Sequence, residues 1–278
     1  YVDQLKQLIK NLNLQNYIIW EHTPNQNNIE HYYQLSDIFL SLSDYCGETF
    51  GLTIIEAMSC KLPVVLSNFS GYKSHISHEK TGYYISSFTA DAELDNFYYT
   101  NDNVYFGHIY SQSIVVDLHE LITTLEKLIN SPDLREKIGS KARKYIIENR
   151  SLEHMYTHFK SFINSIHSKK INSDSFIQIP ENIDISWLFS HQVSATISYE
   201  DTFYLTNETK DLLKNQSEFI FFENQLETYT LIKPILFLLD KSPMSIKRIS
   251  NQLNETKKDV AKNCLFLLKQ TYLRHESK

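Results

Sequence analysis

Glycine is scarce in this chain, and what there is lies close together. Four of its six glycines (Gly47, Gly51, Gly71 and Gly82) fall within one stretch, GETFGLTIIEAMSCKLPVVLSNFSGYKSHISHEKTG. An average protein is about 7% glycine, so elsewhere this backbone has little access to positive φ or to close approach by a second chain segment. Two carboxylates, Glu48 and Glu56, stand in the same stretch with seven residues between them. Glycines concentrated beside acids mark a place where backbone meets ligand.

The residues around that stretch alternate in period. Val2, Leu5, Leu8, Ile9 and Leu12 predict an opening helix. Tyr17–Trp20, Ile38–Leu42, Pro63–Ser67 and Gly82–Ile85 read as short buried strands. Helices are predicted at Ile29–Leu35 and Leu52–Cys60, with one or two further turns from Gly71 to Ile76. Apolar strands alternating with helices predict an α/β fold with a parallel, Rossmann-like sheet. From Phe88 to Ser113 the pattern is lost, over a length that is uncommon for an ordinary connection. Three helices follow. The first carries Leu118, Leu121, Ile122, Leu125, Leu128 and Ile129. The second starts at Ser131-Pro132, a cap followed by a first-turn proline. The third follows Ser151, with Met155, Tyr156, Phe159, Phe162, Ile163 and Ile166 on one face.

Ser168 to Glu227 has no clear period and reads as a linker or an appended layer. Order returns with an apolar helix over Leu231–Leu239, a second helix started by Pro243 and Ser245, and a third with a capping box at Thr256 and Asp259. Tyr272-Leu273 begins a short strand. Three short helices and a strand predict a small, mainly α, winged-helix-like module. The predicted organisation is thus 1–168, 169–228 and 229–278.

Charge narrows the partners. The net charge is −6, which argues against wholesale binding to nucleic acid or to an anionic membrane. The last module is locally basic: Pro243–Lys278 holds eight Lys and Arg against three Asp and Glu. Its third helix, however, carries no arginine to read bases. A protein-contact role is the better expectation there. No run of about 18 apolar residues predicts a spanning helix, which leaves room only for peripheral membrane contact. Three cysteines (Cys46, Cys60 and Cys264), odd in number and without ligand spacing, fit a reduced, cytoplasmic setting. His75 and His78 have no third partner at metal-ligand spacing and read as structural. Lys73 reads either as facing a phosphate or acceptor, or as solvated.

The chemistry of the Gly47–Glu56 segment follows from its place between a strand and a helix. Ligands of parallel sheets bind beyond the carboxyl ends of the strands. A helix start there offers N–H groups from Phe50, Gly51, Leu52 and Thr53, which attract phosphate. Carboxylates beside an anion site make sense if they accept hydrogen bonds from sugar hydroxyls. A nucleotide-sugar combines both needs.

These residues resemble the C-terminal half of retaining glycosyltransferases of the GT-B fold, family four. The resemblance is carried by Glu48, Glu56, Ala57-Met58, Leu62-Pro63 and Val64-Val65. Ser70-Gly71-Tyr72-Lys73, Lys80-Thr81-Gly82-Tyr83, Tyr32-Tyr33 and Ser36-Asp37-Ile38-Phe39 extend it. It runs from Tyr1 to Ile166. It implies that Glu48 contacts hydroxyls of the donor sugar in the catalytic site and that Glu56 holds the ribose. Thr49, Phe50, Gly51 and Leu52, with Thr53 behind them, approach sugar and phosphates. Trp20–His22 lies near the base. It implies a nucleotide-diphosphate sugar as donor, no metal or other cofactor, and transfer of a hexosyl group with retention, in polysaccharide or glycoconjugate biosynthesis.

The sequence also departs from that family. Lys61 stands where a small residue is usual. The family's Arg and Lys pair and its glycine-rich N-terminal half fall before Tyr1, so a missing half, or a protein partner in its place, is expected for activity. The acceptor is unspecified. A non-catalytic donor-binding remnant or regulatory partner, using the last module for contacts, is the alternative expectation.

Overall fold

The computed structural model describes residues 2–21, 28–90, 110–166, 192–215 and 229–276. Residues 1–36 and 37–278 form two compact units. In the first, α1 (Val2–Asn11) and α2 (Ile29–Leu35) form where periodicity predicts them. Asp3 in the first turn of α1 and Lys10 in its last suit the helix dipole. Neither helix buries a residue. The strand expected at Tyr17–Trp20 is absent. These residues form a turn and an irregular run, with Ile19 96% exposed. Four apolar residues cannot make a strand without a hydrogen-bonded neighbour, and none is present among the described residues of this unit.

The second unit starts with the parallel sheet. Strand β1 (Phe39–Ser41) leads through α3 (Leu52–Ser59) to β2 (Val64–Ser67), and a 3-10 turn (Ser70–Ser74) precedes β3 (Tyr83–Ile85). The order is β1-β2-β3, with Leu40 opposite Val65 and Leu66 opposite Tyr84. Every residue of β2 is buried, as a central strand covered on both faces requires. The sheet therefore has three strands, where the apolar runs predict four.

A second sheet continues from it. Strand β4 (Ser87–Ala90) pairs antiparallel with β5 (Val115–Val116). Helices α4 (Leu118–Ile129), α5 (Pro132–Asn149) and α6 (Leu152–Ile166) follow. Each begins on a polar cap: Asp117 accepts from Glu120 N at 3.0 Å, Ser131 from Leu134 N at 3.4 Å, and Ser151 from His154 N at 3.3 Å. Leu121 and Leu128 of α4 and Ile138 of α5 close the core over Val65, Tyr83 and Ile85. Helix α6 differs. Its apolar face forms as predicted, yet none of its residues is buried, and Met155, Tyr156, Phe159 and Phe162 are all at least 60% exposed.

Residues 192–215, part of the stretch read as a linker, are built into sheets. Strand β6 (Ala195–Ile197) lies parallel to β4, and β7 (Thr202–Leu205) leads into α7 (Asn207–Lys214). The chain ends with α8 (Ile232–Lys241), β8 (Met244–Ser245), α9 (Ile246–Leu253), α10 (Lys257–Lys269) and β9 (Leu273–Glu276). Strand β7 sits between β8 and β9, antiparallel to both. Thr256 caps α10 as predicted: its Oγ1 accepts from Asp259 N at 3.1 Å and donates to Asp259 Oδ2 at 2.5 Å. Helix α10 is the core of this region. Val260, Ala261, Asn263, Cys264 and the run Leu265–Leu268 are all buried. It packs on α8, α9 and β9, and also on β4 and β5. Its exposed residues gather near its N-terminus, at Lys257, Asp259 and Lys262. Most of the Phe88–Ser113 segment falls outside the described residues.

Two substitutions of the same kind of residue separate the open and closed faces. Phe159→Ser on α6 is expected to change unfolding free energy by less than about 0.5 kcal/mol. Phe266→Ala on α10 removes a buried ring stacked on Tyr229 at a centroid distance of 4.1 Å. It is expected to cost about 3–5 kcal/mol. Urea unfolding of the two variants checks both values.

Candidate functional site

The chain leaves the carboxyl end of β1 at Ser41 and returns as α3 at Leu52. Everything between forms a turn on the side of the sheet where ligands of parallel sheets bind. Gly51 caps α3 with φ +77, a conformation that glycine adopts without steric cost. A β-carbon there would also stand 2.7 Å from the Tyr72 ring. No side chain caps α3, so the turn presents its helix start as backbone.

The turn is held from below by the segment Ser70–His75. Ser70 Oγ donates to the Glu48 carbonyl at 3.1 Å. Gly71 sits against the Thr49 carbonyl so closely that a β-carbon would lie 1.9 Å from its oxygen. The buried His75 ring bonds through Nε2 to the Phe50 carbonyl, and its face meets the Phe50 ring edge-on at 4.8 Å. Tyr72 packs beneath Gly51, and its hydroxyl pairs with Ser41 Oγ at 2.9 Å. Tyr84 fixes Tyr72 in turn, donating to its carbonyl at 2.8 Å. Each of the four residues Glu48 to Gly51 is thus set by a residue of the second segment.

The predicted residues take these places. Glu48 is half-buried, and its Oε1 accepts from Phe50 N at 3.4 Å. Thr49 and Phe50 are exposed at the turn. Leu52, Thr53 and Glu56 are exposed on one face of α3, while Ile54, Ala57 and Met58 face the core. Glu56 stands about 6 Å along the helix axis from Leu52. The two acids therefore lie on the solvent side of the same turn and helix. Lys61, just past the Cys60 cap of α3, has φ +62, a left-handed conformation that favours glycine.

One cation of the site, Arg150, is absent from the sequence reading. Arg150, at the end of α5, donates to the Ser74 carbonyl at 3.0 Å and places its guanidinium 6.0 Å from the Phe50 ring centroid. No local pattern marks it, because it arrives from 100 residues away. Lys73 is neither solvated alone nor aimed at the turn: its Nζ donates to the Val193 carbonyl at 3.0 Å, and burial lowers its pKa. His78 is structural, its Nδ1 accepting from Tyr84 N at 3.0 Å. Among the described residues no group of three or more His, Cys, Asp or Glu side chains is gathered, and no helix is long and apolar enough to cross a membrane.

Residues 1–96 match the family model for glycosyl transferases group 1. The match takes in the whole turn, α3, β2, the Ser70–His75 segment and β3. A curated relative, N-acetyl-alpha-D-glucosaminyl L-malate synthase of Bacillus anthracis, is 35% identical over 77 residues, which make up 28% of this chain and 19% of that protein. The chain thus matches only a fraction of that relative's length. Among solved structures, a glycosyltransferase from Rickettsia africae shares 26% identity over 61% of this chain and 37% of its own, with a TM-score of 0.44. Anabaena HepE, solved with UDP and glucose, shares 19% identity over 59% of this chain and 36% of its own, with a TM-score of 0.41.

Two outcomes test this arrangement. Gly71→Ala is expected to destabilise the chain by about 1–3 kcal/mol, because backbone rather than a flexible side chain blocks the new methyl. Differential scanning calorimetry reads that loss. The second outcome concerns pH. Burial lowers the pKa of His75, outweighing the Phe50 hydrogen bond that raises it. The unfolded chain, with a histidine pKa of about 6.5, then binds the extra proton first. His75 therefore withholds no stability above that pH, and destabilises progressively as pH falls below it. His275 is lowered by burial in the same direction. The melting midpoint is expected to drop between pH 7 and pH 5, with a smaller drop in His75→Gln. An equal drop in both would contradict the assignment.

Proposed function

We propose that the β1–α3 turn is the donor site of a retaining glycosyltransferase, binding a nucleotide-diphosphate sugar. In this reading Glu48 accepts hydrogen bonds from hydroxyls of the transferred hexose. Glu56 accepts from the ribose. The backbone of Thr49, Phe50, Gly51, Leu52 and Thr53 approaches the diphosphate and sugar. The observation that carries the reading is the placement of both acids on the open side of a glycine-started helix, beyond the carboxyl end of β1. The family match over residues 1–96 supports it.

The site must stabilise a departing diphosphate. Backbone dipoles aimed at developing charge do this without reorganising. The start of α3 supplies such dipoles, and Arg150 brings a positive charge to the Phe50 side of the turn. No metal is required. The acceptor attacks on the face from which the diphosphate leaves, which retains configuration. A second half, facing this turn, is needed to hold the acceptor and close the cleft. The reaction belongs to cytoplasmic polysaccharide or glycoconjugate synthesis.

Calorimetric titration with UDP-, GDP- and ADP-sugars tests the assignment. One nucleotide is expected to bind, and Glu56→Ala to weaken it by about tenfold to a hundredfold, the loss of a hydrogen bond to a charged group. Absence of any binding up to millimolar nucleotide-sugar would remove support for the donor site.

A further inference from the structure

The last residue of α10 reaches the loop that carries Glu48. Lys269 Nζ donates to Asp44 Oδ2 at 2.5 Å and to the Ser111 carbonyl at 2.8 Å. Asp44 lies in the loop between β1 and the turn, four residues before Glu48. The same loop is pinned at Ser43, whose carbonyl accepts from Ser67 Oγ at 2.6 Å, and at Cys46, which packs on Phe69, Tyr110, Ile114 and Val193. Ser111 follows Tyr110 in that apolar cluster. One ammonium therefore ties the C-terminal helices to the loop itself, at Asp44, and to the Tyr110 segment on which the loop packs, at Ser111. It does so at the helix C-terminus, where a cation is favoured by the dipole.

We propose that Lys269 is a positioning residue for the donor site, holding Asp44 and through it the turn that presents Glu48. The proposal rests on the donor reading given above. The core around α10 takes in α8, α9 and β7–β9 together with Val115 of β5 and Ile197 of β6, and neither Lys269 nor Asp44 is part of it, so its packing does not depend on this pair. Lys269 and Asp44 are partly exposed, with side-chain accessibilities of 25% and 33%. Such a pair adds little to global stability. It weighs far more against the local opening of a surface loop, which costs only a small part of the global free energy. The geometry makes the C-terminal helices part of the donor site's support, so the orientation of α10 sets the position of Glu48.

Hydrogen exchange and donor binding in the full chain test this. In Lys269→Met, amides of residues 45–50, including Glu48 N, which bonds Tyr45 O at 3.0 Å, are expected to exchange about threefold to fivefold faster. The melting midpoint and the exchange of α10 should stay as in wild type. Lys269→Arg should restore protection. Asp44→Asn should loosen the same amides, and the double variant should add nothing further. The donor dissociation constant should rise with the exchange rate in Lys269→Met and return in Lys269→Arg. Unchanged exchange at 45–50, or loss of protection spread across α10, would overturn the proposal. So would wild-type donor binding that Lys269→Met leaves untouched. A wild-type chain that binds no nucleotide-sugar would instead overturn the donor reading, and the positioning role with it.

Discussion

The Thr49 carbonyl meets Gly71 with no space for a β-carbon, and the rest of the candidate site is arranged around that contact. Because these two backbones touch, Ser70 can reach the Glu48 carbonyl, Tyr72 can lie under Gly51, and His75 can reach the Phe50 carbonyl. The turn is exposed on its outer side, yet its inner carbonyls are satisfied by a second segment. An exposed loop that keeps one geometry needs such over-determination. The glycines of the two segments are thus one structural device. Gly51 allows the chain to enter α3 with positive φ, and Gly71 allows the supporting segment to come within contact.

Much of this was legible in the sequence because the signals are local. Helix starts at Ser131, Ser151, Ser245 and Thr256 depend on residues three or four positions apart, and the structure shows each cap. The glycine and glutamate spacing pointed to the turn for the same reason. What sequence could not supply is pairing across distance. The 192–215 stretch has no clear period, because β6 takes its register from β4, with Ser194 bonded to Ser87 across 107 residues. Tyr17–Trp20 fails in the opposite way: its composition suits a strand, but strand formation is decided by a neighbour, and it has none among the described residues of its unit. Arg150 and Lys269 reach the site by the same long routes, and no short pattern could announce them.

The C-terminal helices show where a basic composition goes in a fold. Eight Lys and Arg against three acids suggest a surface for nucleic acid. The structure gives several of these cations other partners. Lys257 lies over Tyr199, Lys262 over Tyr229, Lys247 pairs with Glu200, and Lys269 with Asp44. Cations stacked on rings or paired with carboxylates are less free to gather phosphates. Helix α10 is itself buried along most of its length, against α8, α9, β4, β5 and β9.

Charge at the turn follows a related logic. Two carboxylates near a helix start would repel a diphosphate if they stood directly on its path. Glu56 avoids this by standing one turn into α3, while Glu48 accepts from Phe50 N, which leaves the N–H groups from Gly51 onward as the uncapped helix start. Arg150 then matters beyond its own hydrogen bond. Its guanidinium lies over the outer ring of the turn, and its charge helps to keep the buried His75 neutral beneath it. A neutral imidazole donates its Nε2 proton to the Phe50 carbonyl without placing an uncompensated charge in the core. The positive charge therefore sits at the surface of the turn, where an anionic ligand could meet it, while the support below stays uncharged.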